Sequence, residues 1–411
     1  MNTTLENEFD KIRMQFSSII SNYPFTVIII FIVIFLLFFI NRFTPVLRVQ
    51  KSVSRIQGYL NTEELRTDIY PISYWIKKGA NNNYVSSKNA DEVPQDGYPF
   101  IDYHIMSSAK SYLVQNKDYD FCSLRVLQSI LLYGAKFVEL DVFNAGFGES
   151  NSYPIVTYGE DVGQWKTSIN SLSFEDCCNT VLQYGIQYYS RNFDNADPVF
   201  LYLNCHSLNP DTTNKMAEIV YKVFGNNLVD VKYCNAGKKI SGEYNGIIYQ
   251  SPTQFYNKVI IVSNIFGADN DNPSTPRFDE MVNISTNLKN GKKIFQAVSY
   301  GEMQNMNEFK NNNKMKQMSM VYDDSSGNEL LNYNPIIPWM GGCQFVAMHF
   351  QNNDPNMLQY LKMFSLQYPE DPNTSGKKKV PPYFVNTSYR LKQKDKRMGK
   401  QFLEDSKKKS S

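Results

Sequence analysis

The feature that most constrains this chain is a series of short apolar runs alternating with segments of helical spacing. FVELDVF (137–143), YPIVTY (153–158), VFLYLNCH (199–206), KVIIVSN (258–264), KIFQAVS (293–299) and CQFVAMHF (343–350) have the length of strands. Most are too apolar on both faces to be half exposed, so they are expected as buried parallel strands. Between them, CSLRVLQSILLYGA (122–135) and SFEDCCNTVLQYGIQYY (173–189) have helical spacing, the second opening with Ser173 as a cap and Asp176 three residues on. Residues 211–225 give a third helix. Strand and helix in alternation predict an α/β fold, a (β/α) barrel of TIM type, with a doubly wound open sheet as the alternative.

One further segment stands apart from this pattern. From Tyr23 to Phe43 the chain reads YPFTVIIIFIVIFLLFFINRF, with no charge between Phe25 and Ile40. As a helix it would measure about 30 Å, the thickness of a bilayer core. A cleaved signal peptide is the competing reading; against it, Glu6, Glu8 and Asp10 precede the run and NRFTPVLRV offers no small-residue cleavage site. The expectation is one transmembrane helix over 23–43. Arg42, Arg48, Lys51 and Arg55 follow the run and only Lys11 and Arg13 precede it, which places the large domain in the cytosol as part of a single-pass membrane protein. Sequons at Asn283, Asn373 and Asn386 would report the opposite orientation by becoming glycosylated.

The chain has 411 residues and a net charge of +2, enough apolar residues for a full core and no excess charge demanding nucleic acid. Its six cysteines show neither metal-ligand spacing nor a disulfide framework, which fits a reducing compartment. The expected organisation is an N-terminal segment (1–22), the transmembrane helix (23–43), a polar linker and lead-in (44–95), a first barrel half (96–265), an inserted polar loop (266–291), a second barrel half (292–389) and a basic tail (390–411). The tail holds nine Lys or Arg against three acidic residues. Such a tail binds anionic lipid or is merely solvated. On FVELDVF, alternation puts Glu139 and Asp141 on one face of a strand, half of a calcium cage or a salt-bridged pair at the barrel mouth.

The order SSAKSYLV (107–114), LLYGAKFVELDVF, YPIVTYGED, FLYLNCHS (200–207) resembles the X half of phosphoinositide-specific phospholipase C. FQAVSYGEMQ (295–304), SMVYDDSSGNELLNYNP (319–335) and PWMGGCQFVAMHFQ (338–351) resemble its Y half, whose hallmark is NYxP followed by W-x-x-G-C-Q-x-V-A. The resemblance covers residues 98–385 and implies a distorted TIM-type barrel of the phospholipase C-like phosphodiesterase kind. In that family calcium lowers the pKa of the inositol 2-hydroxyl, which attacks phosphorus, while two histidines stabilise the phosphorane and protonate the leaving diacylglycerol.

The resemblance also implies that most of those positions have changed. The first histidine of the family is Ala109 here and the adjoining calcium-ligand asparagine is Lys110; the second histidine is Glu160 and the ligand glutamate is Asn204. Glu139 and Asp141 remain as possible residual calcium ligands. The phosphate-binding lysines align with Ser263 and Ile265, and an arginine of the Y half is Met320, whereas Ser299 and Tyr322 persist where they would contact and stack on the inositol ring. Of the three histidines, His206 matches one of the family, while His104 and His349 fall where the family carries apolar or amide residues. The expectation is a membrane-tethered, catalytically inactive relative that uses no cofactor, its ligand a lipid headgroup or a protein partner. The Lys110 ammonium would occupy the space between Glu139 and Asp141. The alternative is an active phosphoric diester hydrolase that uses calcium, with Glu160 or His206 as substitute acid/base.

Overall fold

The structure is a computed structural model that describes residues 11, 13–15, 17–18, 24–58, 69–79, 90–146, 151–160, 165–207, 209–234, 246–265, 268–269, 272–273, 276–286, 295–306, 318–367 and 384–398. The chain divides into two compact units, Met1–Gln50 and Lys51–Ser411. In the first, a helix (α1, Pro24–Gly58) begins and runs on into the second. Its apolar side chains from Ile28 to Leu37 are exposed, as is Phe25, whereas Ile56 near its C-terminal end is buried. Among the described residues no helix is long and apolar enough to cross a membrane; the side chains of 38–43 lie outside the described set.

The second unit is an α/β barrel of eight parallel strands: β1 Tyr103–Ser108, β2 Phe137–Asn144, β3 Val199–Cys205, β4 Val259–Ser263, β5 Ile284–Ser285, β6 Phe295–Ser299, β7 Met318–Tyr322 and β8 Phe345–Met348. Neighbours in the sheet are neighbours in sequence, from β5 back through β1 and then, across β1 and β8, to β6. The barrel is nearly closed. Helices α2 (Leu124–Leu132) and α4 (Pro210–Phe224) fall where helical spacing predicts them. Between them α3 covers residues 174–192, with π-helical spacing over Val181–Gln187. The Ser173 hydroxyl caps α3, accepting from the Asp176 amide.

Period-two alternation sorts every strand into an outer and an inner face. The inner face begins with a floor of large side chains: Phe137, Phe200, Ile260, Phe295, Met318 and Phe345, all within one buried cluster. The Phe345 ring lies 4.5 Å from Phe137, 5.0 Å from Phe200 and 5.8 Å from Phe295, centroid to centroid. Burial of each such ring contributes about 1.5–3 kcal/mol. Two to four residues later each strand reaches the opposite end of the barrel, where the inner positions turn polar.

Several sequence expectations change here. YPIVTY is not a parallel barrel strand: Pro154–Val156 pairs antiparallel with the end of β2, outside the ring. The lead-in is built structure, because Ile69–Tyr70 pairs with Phe384–Thr387 and Trp75 of the helix Ile72–Gly79 is buried. Within the expected loop 266–291, a short helix Pro276–Asp279 leads into β5, which pairs with β4. The start of the expected tail also belongs to the barrel unit. Tyr389–Leu391 pairs antiparallel with β1, and Lys392 and Arg397 are buried; residues 399–411 lie outside the described set. Two sequons are structural: the buried Asn283 carbonyl accepts from the Ile261 amide at 2.8 Å, and the buried Asn386 carbonyl accepts from the Ser365 hydroxyl at 2.6 Å. Asn373 is outside the described residues.

Candidate functional site

At the C-terminal ends of the strands the barrel opens into a cavity of about 480 Å³, lined among others by Lys110, Glu139, Tyr158, Asn204, Tyr322 and His349. These positions follow from the alternation that builds the floor. On β2, Phe137 points down into the floor and Glu139 and Asp141 follow on the same face; on β8, Phe345, Ala347 and His349 do the same.

Lys110 occupies the centre of the β1–β2 side. Its Nζ lies 3.1 Å from Glu139 Oε1 and 2.9 Å from both Asp141 carboxylate oxygens. The Lys110 backbone amide donates to Glu139 Oε2 at 3.2 Å. Burial alone would lower the Lys110 pKa, but the facing Asp141 and Glu139 carboxylates outweigh it and hold the ammonium above the ordinary lysine value. Burial would likewise raise Asp141, yet Lys110 and His206 hold it below the usual carboxylate range. Asp141 also accepts from the Tyr112 hydroxyl at 2.6 Å and from Asn204 Nδ2 at 2.7 Å. Each of its oxygens is therefore satisfied by protein groups.

This donor set does not fit a divalent cation. An ammonium stands where the metal would need those three carboxylate oxygens, and Asn204 presents its amide nitrogen, not its carbonyl, to Asp141. The Tyr202 hydroxyl, 3.4 Å from Asn204 Oδ1, is consistent with that orientation. Among the described residues no group of three His, Cys, Asp or Glu is arranged to hold a metal. Lys110 reaches its position through a left-handed backbone, φ +44°, a region that asparagine adopts more readily than lysine.

A second polar cluster faces the first from β7 and β8. The Lys117 ammonium donates to Asp323 Oδ2 at 3.3 Å and to the Ser325 carbonyl at 2.6 Å, and Asp323 accepts from the Ser325 hydroxyl at 2.6 Å. Burial would raise the Asp323 pKa, but His349 and Ser325 hold it below the usual carboxylate range. The most specific motif of the sequence, NYNPIIPWMGGCQFVAMHFQ, supplies the scaffold for this side. Asn332 brackets His349, its carbonyl accepting from the His349 amide at 2.7 Å and its Nδ2 donating to the His349 carbonyl at 3.1 Å. Tyr333 donates to the Val321 and Ala347 carbonyls, tying β7 to β8. Gln351 donates to the Lys110 and Leu113 carbonyls and so fixes the loop that carries Lys110.

The other expected site residues divide by strand face. Ala109, Met320 and Tyr322 line the cavity. Ser263 does not: it lies on the outer face, donating its hydroxyl to the Leu203 carbonyl, and Ile265 shares that parity, while Asn264 between them lines the cavity. Ser299 is committed as a helix cap, accepting from the Glu302 amide in a capping box, and is not among the lining residues. Glu160 sits exposed on the hairpin Gly159–Glu160 with Trp165–Lys166 and is not among the lining residues. His206 lies behind Asp141, its Nε2 2.9 Å from Oδ1 and its ring stacked on Phe143 at 4.4 Å. Neither substitute acid/base is among the residues that line the mouth. His104 is structural, stacked on Trp339 with Nδ1 2.7 Å from the Cys343 carbonyl, and burial pushes its pKa well down. The residue that sequence reasoning missed is His349. Its spacing from Phe345 and Ala347 was the available signal.

The topology defines an α/β barrel protein with its polar cavity at the C-terminal ends of the strands. Comparison with known proteins adds a likeness: the family model for the phosphatidylinositol-specific phospholipase C X domain matches residues 97–264, so this part of the chain is similar to that domain. The 1-phosphatidylinositol 4,5-bisphosphate phosphodiesterase beta-1 of Mus musculus is 22% identical over 360 residues, covering 70% of this chain and 28% of the relative. The Bos taurus protein of the same name gives the same figures. The chain thus spans 28% of the length of these relatives. Among solved structures, L. pealei PLC21 matches with a TM-score of 0.48 and 20% identity over 63% of this chain and 35% of that one. A calcium-dependent phosphoinositol-specific phospholipase C from Pseudomonas sp. matches with a TM-score of 0.41 and 15% identity, over 62% and 91% of the two chains.

Proposed function

We propose that this chain is a membrane-tethered phospholipase C-like protein whose barrel mouth binds an inositol-type lipid headgroup without calcium and without the hydrolysis that the family's name denotes. The observation that carries this reading is the Lys110 ammonium, held by three carboxylate oxygens at 2.9–3.1 Å in the position that a metal would take. The positions of the two family histidines hold Ala109 and Glu160, and removal of one general acid or base typically costs about 10²- to 10⁴-fold in rate. Both lysines that line the cavity are already engaged with carboxylates, Lys110 with Glu139 and Asp141 and Lys117 with Asp323. Among the described residues, a headgroup bearing several phosphates finds no free clamp there.

The tether is the apolar run in α1, with its exposed side chains from Phe25 to Leu37 and the basic residues that follow. Tethering on the cytosolic side would keep the barrel unit close to a membrane surface. Retention of the full chain in membranes after alkaline carbonate extraction tests the tether, and release into the supernatant contradicts it. Calcium titration of the unmodified chain beside Lys110→Asn tests the mouth. Binding is expected only in the variant; equal calcium affinity in both would remove the ammonium from its proposed role.

A further inference from the structure

Among the described residues, His349 is the one histidine that lines the cavity. It is 3% exposed, and neither Nδ1 nor Nε2 has a hydrogen-bond partner among the described residues. Nε2 is 3.9 Å from Asp323 Oδ2, an electrostatic contact that lowers the Asp323 pKa but lies beyond hydrogen-bond reach. Leaving buried polar nitrogens unmet costs about 1–3 kcal/mol per group, so the ring has hydrogen-bonding capacity that a ligand entering the cavity can use. Its backbone is fixed on both sides by Asn332, so the ring is presented by a held strand end.

The register gives the position a meaning. β8 and β1 run parallel with Met348 opposite Ser108, and the Ala109 amide donates to the Met348 carbonyl at 3.0 Å. His349 therefore stands one residue beyond the paired ends, level with Ala109 on the adjacent strand. Ala109 is where the resemblance implies a histidine. An imidazole has been lost from one strand and is present on its neighbour at the same height in the mouth.

The surrounding charges restrict what it can meet. Two ammonium groups, Lys110 and Lys117, face three carboxylates, Glu139, Asp141 and Asp323, within these clusters. Additional phosphate monoesters would be repelled, whereas the single charge of a phosphodiester can be met by an imidazole N–H, with ring hydroxyls donating to the carboxylates.

We propose that His349 is the residue through which the barrel mouth contacts its ligand, a hydroxylated inositol-type phosphodiester headgroup that carries no further phosphates. This rests on the reading of the mouth as a headgroup site. Calorimetry on the full chain in nonionic micelles, with glycerophosphoinositol and inositol trisphosphate as probes and EGTA present, tests it. The diester is expected to bind at least tenfold more tightly than the trisphosphate, and His349→Asn to weaken the diester at least tenfold while circular dichroism stays unchanged. Equal diester affinity in the folded variant, or tighter binding of the trisphosphate, overturns the proposal. In the unmodified protein, histidine ring resonances give a second reading that needs no variant: with three histidines in the chain, one ring is expected to shift on adding diester, and no shift overturns the assignment. Calcium binding to the unmodified chain would instead defeat the metal-free reading alone, since among the described residues His349 makes no hydrogen bond or ion pair with Glu139 or Asp141.

Discussion

Replacing Lys110 by methionine isolates the ammonium while keeping most of the side chain's apolar length. Glu139 and Asp141, 5% and 1% exposed, would then face each other without a cation. Removing one partner from a buried ion cluster costs about 3–5 kcal/mol, because the remaining charge stays desolvated. The left-handed backbone at position 110 strains methionine as it does lysine and cancels from the difference. Lys110→Asn should lose about 1 kcal/mol less, since asparagine tolerates that conformation. It also opens a cation site, so calcium at a hundredfold its Kd should restore about 2.7 kcal/mol. The pH window follows from the two directions of shift. Asp141 is held below its unfolded value, so its contribution is present above about pH 4 and fades as pH falls below that. Lys110 is held above its unfolded value, so its contribution is present below about pH 10 and fades as pH rises further. The advantage of unmodified protein over Lys110→Met should therefore be largest between these limits. Urea denaturation of the full chain in micelles measures it. A loss under 1 kcal/mol near pH 7, or a calcium response in unmodified protein equal to that of Lys110→Asn, refutes the reasoning.

Burial pushes the Lys392 ammonium down to about 8, with Asp102 opposing; a lysine whose folded pKa is lowered makes stability rise with pH between that value and its unfolded pKa of about 10.4. Denaturation at pH 7 and pH 10 should show unmodified protein gaining on Lys392→Met by up to about 3 kcal/mol, and no relative gain would contradict the desolvated-lysine account. Ser299→Ala should cost about 1 kcal/mol of stability through loss of the capping box, with headgroup affinity unchanged; calorimetry that found affinity lost in a stable variant would return Ser299 to the ligand.

The barrel was legible because most of its strands are apolar on both faces, as in Val259–Ser263 and Phe345–Met348. Strands β1, β5 and β7 were not read as strands for separate reasons. Tyr103–Ser108 carries a histidine and two serines, Met318–Tyr322 is short and methionine-rich, and Ile284–Ser285 spans two residues inside a polar stretch. In each case the barrel, not local pattern, sets the backbone. Glu139 and Asp141 were visible through period-two spacing, and the place of Lys110 through the resemblance, which puts it where the family has a calcium-ligand asparagine. Ser263 and Ile265 were assigned by alignment, which does not report strand face; parity with the floor residue Ile260, two positions on through Val262, selects Asn264. His349 was passed over because it matches no family histidine, and its closeness to Ala109 depends on the β8–β1 register, which joins residues 240 positions apart. The motif that makes the resemblance most specific turns out to hold backbone, through Asn332, Tyr333 and Gln351.

The most direct test of a metal-free, non-hydrolytic mouth is turnover by the full chain on vesicles of phosphatidylinositol and of its bisphosphate, with calcium and with EGTA, beside Glu139→Ala. The account predicts no water-soluble inositol phosphate above background under any of these conditions, in protein shown by circular dichroism to be folded. Calcium-dependent release that disappears in Glu139→Ala would contradict it, since the carboxylates would then be serving a metal rather than Lys110.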